Sequence, residues 1–223
     1  MHTWTARLIE IWEENGARVG LLECPADHRP SAGRCLLGAA REGPPPVLPH
    51  LLFPGGLLPE GLVLAPGLPL SWQPGIELAL RGPFGSGFHL PPKARHVLLA
   101  APQHSPRRLL PLIPLALAQR SEVTLVCHPD FLAALSHPLP PLVEAIPPEA
   151  LPEALDWADY LAADCPAGLP HLLTEWRGSG QALISVPMPC GNLADCGACA
   201  VNTRGGWKLA CKDGPVFDLR DLA

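Results

Sequence analysis

The chain has 223 residues, a formal net charge of -5, only 17% charged residues, 30 prolines and eight cysteines. Its basic residues are spread along the chain, which excludes the electrostatic footprint of a nucleic-acid binder. Proline and glycine interrupt the apolar stretch from Val47 to Trp72 so often that no membrane-spanning helix is expected there. The start, Met1 to Arg7, lacks a basic region leading into an apolar run with a small-residue cleavage site, so a cytoplasmic protein is expected.

The first ninety residues carry short apolar runs separated by turn residues: Trp4–Trp12, Ala17–Cys24, Arg34–Ala39, Leu62–Ala65 and Ile76–Arg81. This spacing predicts a small antiparallel barrel or sandwich. In Ile76–Arg81 the alternation points Ile76, Leu78 and Leu80 inward and Glu77 and Arg81 to water. Between Gly43 and Pro74 proline and glycine are dense, so strands there must be short, edge-placed or absent.

From Arg95 the pattern changes. His96–Ala101, Val123–Cys127, Leu142–Ile146, Tyr160–Ala163 and Ala182–Val186 are predicted strands. Helices are predicted at Arg107–Gln119, Asp130–Ser136, Glu149–Leu155 and Leu169–Trp176, and the alternation implies βαβ units around a parallel sheet. After Pro187 the alternation stops. The expected organisation is a β-barrel over residues 1–90, a parallel α/β domain over 91–186 and a small tail domain over 187–223.

Cysteine spacing carries the chemistry. Cys24, Cys35, Cys127 and Cys165 stand alone and are expected to be small buried hydrophobes. Cys190, Cys196, Cys199 and Cys211 form C-x5-C-x2-C-x11-C, the arrangement that lets three thiolates on one loop and one distant thiolate surround a 2Fe-2S cluster. Gly191, Ala194, Gly197, Ala198 and Ala200 leave room for backbone amides near the sulfurs. The stretch from Ala200 to Ala210 predicts a hairpin that turns at Arg204–Gly206 and brings Cys211 back to the loop. Trp207 is placed to shield the cluster from water. Zinc also accepts four thiolates, although it usually takes them from two close pairs, and a structural zinc site in a non-enzymatic assembly protein is the alternative function. Thiol redox chemistry at Cys196-x-x-Cys199 would leave Cys190 and Cys211 unexplained. The nine histidines are scattered with no pair at ligand spacing, and no hydrolase motif occurs.

The tail segments Cys190-Gly191, Cys196-Gly-Ala-Cys199-Ala-Val201 and Cys211-Lys-Asp-Gly-Pro-Val-Phe217 resemble the C-terminal end of the electron-transfer subunit of bacterial dihydroorotate dehydrogenase, a ferredoxin reductase-like family. The resemblance implies a flavin-binding β-barrel, a nucleotide-binding-like α/β domain and a C-terminal 2Fe-2S domain, with Cys190, Cys196, Cys199 and Cys211 as ligands. Arg81-Gly-Pro-Phe-Gly-Ser-Gly-Phe88 is similar to the family's segment at the end of the barrel, which implies FAD contacts at Gly82, Pro83, Gly85 and Gly87. The class's Arg-x-Tyr/Phe-Ser/Thr flavin motif is missing around Pro49–Pro54. Where the family has a glycine-rich nucleotide loop, this chain has Ala101-Pro-Gln-His-Ser-Pro106, and Pro102 and Pro106 each remove an amide that a pyrophosphate would use, so tight NAD(P) binding is not expected. The implied role is an accessory electron-transfer subunit of an oxidoreductase. It would work in a hetero-oligomer with a flavoprotein catalytic subunit, dihydroorotate dehydrogenase of pyrimidine biosynthesis.

Overall fold

A computed structural model describes residues 2–42, 48–165, 176–194 and 196–222. Near the N-terminus β1 (His2–Glu14) and β2 (Ala17–Leu22) form a hairpin whose turn is Asn15-Gly16. Both turn residues have positive φ, 49° and 74°, the backbone that a tight two-residue hairpin demands and that Asn-Gly tolerates. β3 (Cys35–Ala40), β4 (His50–Leu52), β5 (Pro54–Leu58), β6 (Gly61–Leu64) and β7 (Glu77–Phe84) complete a seven-stranded antiparallel sheet of order β4-β3-β7-β1-β2-β6-β5. The two edge strands, β4 and β5, are separated in sequence by Phe53 alone, so the sheet curls until its edges meet there. The expected barrel is what the chain forms, and the proline-rich stretch supplies short strands at its two edges. In β7, Leu78 and Leu80 are buried while Ala79 is exposed, as the alternation requires.

One strand closes the curl. The first half of β1, through Arg7, pairs with β7, and its second half, from Leu8, pairs with β2, with a register break between Leu8 and Glu10. A bulge bends a strand and raises its twist, which lets one 13-residue strand turn the corner between the two halves.

The second sheet has order β10-β9-β8-β11-β12-β15, β15 being Val216–Asp218. Its parallel strands are β8 (His96–Ala101), β9 (Glu122–Cys127), β10 (Val143–Ile146), β11 (Tyr160–Asp164) and β12 (Ser179–Leu183). Alternate residues go to opposite faces. Val97, Leu99, Leu125 and Tyr160 pack under Leu109, Leu112, Ile113 and Ala116. Leu98, Ala100, Val126 and Leu161 join a larger cluster that takes in Leu151 and Leu155 and also Cys35, Leu37, Phe53 and Phe84 of the barrel. Apolar packing is thus continuous between the two sheets.

Several elements differ from the sequence expectation. The helix expected over Arg107–Gln119 is broken into 3-10 turns at Pro106–Arg108 and Leu110–Leu112 followed by α1 (Ile113–Ala118), because Pro111 and Pro114 cannot supply interior helix donors. The helix expected to reach Ser136 is the short α2 (Pro129–Ala133), and Ser136 bonds elsewhere. The helix expected over Glu149–Leu155 is a 3-10 turn at Pro148–Ala150 and α3 (Leu151–Trp157). β12 begins three residues before the apolar run that suggested it and stops at Leu183, where the Ile184 amide instead donates to the Pro215 carbonyl. Residues 169–175 of the helix predicted over Leu169–Trp176 lie outside the described residues. No helix among the described residues is long and apolar enough to cross a membrane.

A buried ion pair ties the sheets. Glu14, at the end of β1, and Arg107 are each almost fully buried and joined by two hydrogen bonds from the guanidinium, and the Glu14 carboxylate also accepts from Trp12 Nε1 (2.9 Å), the Ser136 amide (3.0 Å) and Ser136 Oγ (2.9 Å). Burial alone would raise the Glu14 carboxyl, but the Arg107, Trp12 and Ser136 hydrogen bonds and the Arg107 charge outweigh it and bring it down to about 2. A carboxyl lowered on folding stabilises the native state above its unfolded value, near 4.3, and that contribution is lost as pH falls toward 2. Glu14→Gln is therefore expected to destabilise the fold by about 3 kcal/mol at neutral pH, because it leaves the buried Arg107 uncompensated. Urea unfolding should show that difference shrinking between pH 4.5 and pH 2.

Candidate functional site

The tail folds around its cysteines. After Ile184 the chain passes through a loop carrying Cys190 and Cys196, then forms β13 (Ala200–Thr203) and β14 (Gly206–Leu209), paired from Ala200 opposite Leu209 to Thr203 opposite Gly206. The Ala210 amide donates to the Cys199 carbonyl at 2.9 Å, which closes the base of the hairpin and sets Cys211 beside Cys199. This is the return predicted from the sequence. β15 (Val216–Asp218) then adds antiparallel to β12 at the edge of the second sheet.

The four sulfurs form two pairs. Cys190 Sγ lies 3.6 Å from Cys196 Sγ, and Cys199 Sγ lies 3.3 Å from Cys211 Sγ. The first pair is at the surface, with Cys196 exposed; the second is buried, at 2% and 1% exposure. Backbone hydrogen bonding at Ala194 is the main influence on the Cys190 thiol, joined by Cys196 and by the backbone at Asn192 and Leu193, and it brings Cys190 down to about 7. Burial, then the hydrogen bond and charge of Cys199, push Cys211 up to about 12. Among the described residues no group of three or more His, Cys, Asp or Glu side chains is placed to hold a single metal ion. Trp207, expected to shield the cysteines, is instead 74% exposed, because β14 turns it away from the packed side of the hairpin.

The solitary cysteines behave as expected. Cys24, Cys35, Cys127 and Cys165 are buried, and burial raises each thiol, to about 11 for Cys24 and about 12 for Cys165.

The glycine-rich segment Gly82–Gly87 faces the protein itself. A Cβ on Gly85 would sit 2.4 Å from the Gly214 carbonyl oxygen, one on Gly87 would sit 2.6 Å from the Ala32 carbonyl oxygen, and one on Gly82 would sit 2.9 Å from the Leu36 side chain. The Pro83 and Gly85 carbonyls accept from Arg34 at 3.0 and 3.1 Å, and the Ser86 amide donates to the Gly214 carbonyl. Gly85 therefore meets the tail, Gly82, Pro83 and Gly87 pack against the barrel's own Ala32–Leu36 segment, and none of the four lines either of the two cavities beside the barrel. The larger cavity, about 550 Å³, lies between the barrel and the helical side of the second sheet. Its walls include Gly56, Leu58, Val63, Ile113 and Leu115, with Arg29, Ser31 and His137 among its polar groups. The smaller, about 270 Å³, adjoins Cys190 and is lined by Leu37, Pro49, Arg81 and Leu193 among others.

At the carboxyl ends of β8 and β11, where open α/β sheets bind ligands, charged side chains meet. The fully buried Asp164 carboxylate accepts from Arg108 Nε at 2.7 Å and has His104 Nε2 at 3.1 Å on the same oxygen. The Arg108 guanidinium also lies 5.4 Å from the centre of the Phe53 ring. The proline-bearing loop Ala101–Pro106 carries His104 into this cluster. The sequence marks the loop that carries His104 but not the cluster, because Asp164 lies 56 positions from Arg108 and no motif joins them.

The comparisons agree with this architecture. The chain has a ferredoxin reductase-like fold: it superposes on a chain from the NADH-dependent reduced ferredoxin-NADP oxidoreductase studied for flavin-based electron bifurcation, with a TM-score of 0.75, 16% identity and coverage of 98% of this chain and 89% of that one. The ferredoxin NADP+ reductase of Neisseria gonorrhoeae, described with bound FAD and NADP, gives a TM-score of 0.53 at 16% identity, covering 78% of this chain and 88% of that one. The ferredoxin reductase of carbazole 1,9a-dioxygenase gives 0.56 at 16% identity, and there this chain spans 74% of itself and 59% of the relative. More particularly, residues 187–223 match the model of the iron-sulfur cluster binding domain of dihydroorotate dehydrogenase B. No curated protein matches the chain in sequence.

Gly85 has a φ of 78° and no room for a methyl group against the Gly214 carbonyl. Gly85→Ala is expected to destabilise the protein by more than about 1 kcal/mol in urea unfolding, because alanine there is both strained and obstructed. Limited proteolysis should place the first cuts in the tail.

Proposed function

We propose that the chain is an accessory electron-transfer subunit of a ferredoxin reductase-like oxidoreductase, holding a 2Fe-2S cluster on Cys190, Cys196, Cys199 and Cys211. The observation that carries this reading is the pairing of the sulfurs at 3.6 and 3.3 Å. Two thiolates on one tetrahedral metal, with metal-sulfur bonds near 2.3 Å, sit about 3.7 Å apart. A two-iron cluster takes two thiolates per iron, so two separate close pairs suit it, whereas one zinc ion requires all four sulfurs at a single centre. When bound, such a cluster supplies a one-electron carrier. The residues do the rest: the hairpin base holds Cys199 and Cys211 away from water, and the backbone at Asn192 and Leu193 offers hydrogen bonds to the Cys190 sulfur. The match of residues 187–223 supports a dihydroorotate dehydrogenase catalytic subunit as partner, and the proposed role is in pyrimidine biosynthesis, with a flavin on that subunit and the complex in the cytoplasm.

Anaerobic protein should be red-brown, contain iron and acid-labile sulfide in equal amounts and bleach with dithionite. Cys199→Ser and Cys211→Ser should lose both elements, while Cys127→Ala, far from the tail, should keep them. Colourless protein containing zinc and no sulfide would overturn the assignment in favour of a structural metal site.

The fold also supports an FAD, a cofactor that, when bound, couples two-electron to one-electron transfer. The apolar walls of the cavity of about 550 Å³ fit an isoalloxazine, and Arg29, Ser31 and His137 supply polar groups for the rest of the molecule. Tight NAD(P) binding is not expected, given Pro102 and Pro106. Acid should release a yellow flavin from the wild type, and Leu115→Trp, which narrows this cavity from its exposed side, should reduce the flavin content severalfold. Unchanged flavin in that variant would place the cofactor elsewhere.

A further inference from the structure

Resting on the cluster assignment above, we infer that Arg81 is the positioning residue for the surface half of the cysteine site and the fixed cation that sets its reduction potential. Arg81 lies on β7, opposite Leu37 of β3 and Thr3 of β1. The alternation of β7 turns it outward, away from the barrel core and toward the cysteine loop. Its Nη2 donates to the Cys190 carbonyl at 2.6 Å and reaches the Gly191 carbonyl at 3.4 Å, across 109 positions of sequence. The Cys190 carbonyl also accepts the Leu193 amide at 3.2 Å, so one oxygen joins the loop's own turn to the barrel.

The fit is close. A Cβ on Gly191 would lie 2.6 Å from Arg81 Nη2 and 2.2 Å from Leu37 Cδ1, so the loop rests directly on these two barrel side chains.

Among the described residues no carboxylate compensates this charge. Lys208 and Arg220, in the same tail, are paired with Asp221 and Asp218 at 3.2 and 2.6 Å. Arg81 has no carboxylate within 4 Å among the described residues, and it lines the small cavity next to Cys190. Arg204 and Lys212 are exposed, where water and salt screen them. A cluster held by four thiolates is an anion that gains a further negative charge on reduction. A guanidinium held against the backbone of one ligand favours the reduced form.

The test compares Arg81→Gln and Arg81→Lys with wild type by anaerobic potentiometric titration, following the visible bands of the cluster. Arg81→Gln should make reduction about tenfold less favourable, a shift of about 59 mV for a one-electron couple. Arg81→Lys, which keeps the charge and gives up the planar fork, should stay within about twofold of wild type. An unchanged potential in Arg81→Gln, or an equal fall in both variants, overturns the inference while leaving the cluster in place. If Arg81→Gln does not retain its cluster while Arg81→Lys does, the positioning role stands, and a lowered potential in the lysine variant rejects the charge effect. A wild type lacking iron and sulfide removes the cluster reading itself, and this inference with it.

Discussion

The cysteine site depends on one act of strand addition. β15 pairs with β12 through Gln181–Asp218, Ala182–Phe217 and Leu183–Val216, and further bonds run from Ile184 to Pro215 and from Leu219 to Gly180. Val216, Phe217, Leu219 and Leu222 enter the same apolar cluster as barrel residues Leu37 and Phe84. The cysteine segment is thereby a loop pinned at both ends to one sheet edge, leaving at Ile184 and returning at Pro215. Pinning reduces the entropy cost of bringing four sulfurs together, since the chain between them closes within a fixed span. The contact of Gly85 and Ser86 with Gly214 extends the anchor to the barrel.

Two buried charged clusters govern how the sheets meet. Glu14 and Arg107 bridge β1 to the turn after β8, and Asp164, Arg108 and His104 close the carboxyl ends of β8 and β11. Apolar packing alone would tolerate small rotations of one sheet over the other. A carboxylate accepting five hydrogen bonds in a dry interface would not, because each lost partner leaves a buried charge without compensation. Open α/β sheets bind ligands outside the carboxyl ends of their strands; here that position is occupied by the protein's own Asp164, Arg108 and His104.

Local patterns were legible wherever a local cause decides the outcome. Ile76–Arg81 and His96–Ala101 announced their strands, because alternation and a continuous apolar run report burial directly. The hairpin between Cys199 and Cys211 followed from Gly205-Gly206, and the four ligand candidates from spacing. Asn15-Gly16 is an equally local cause and explains the first hairpin. Tertiary choices were hidden. The bulge at Leu8–Glu10 is needed only because the sheet curls, and the end of β12 is set by Pro215, thirty-odd residues away. The helix over Arg107–Gln119 overrated an apolar run against its own prolines. Gly82, Gly85 and Gly87 read in sequence as places where the backbone turns sharply or approaches a cofactor, and nothing local announces that Gly85 also lies against the Gly214 carbonyl. Glu14–Arg107 and Arg81–Cys190 span 93 and 109 positions, and nothing near either partner signals the other.

The unequal exposure of the two sulfur pairs gives the tail a polarity. With Cys199 and Cys211 sealed behind the hairpin and Cys196 open to solvent, a metal group bridging them would have a single doorway. A docking redox protein would find its shortest tunnelling path there, and so would dioxygen, so traffic and damage would share one entrance.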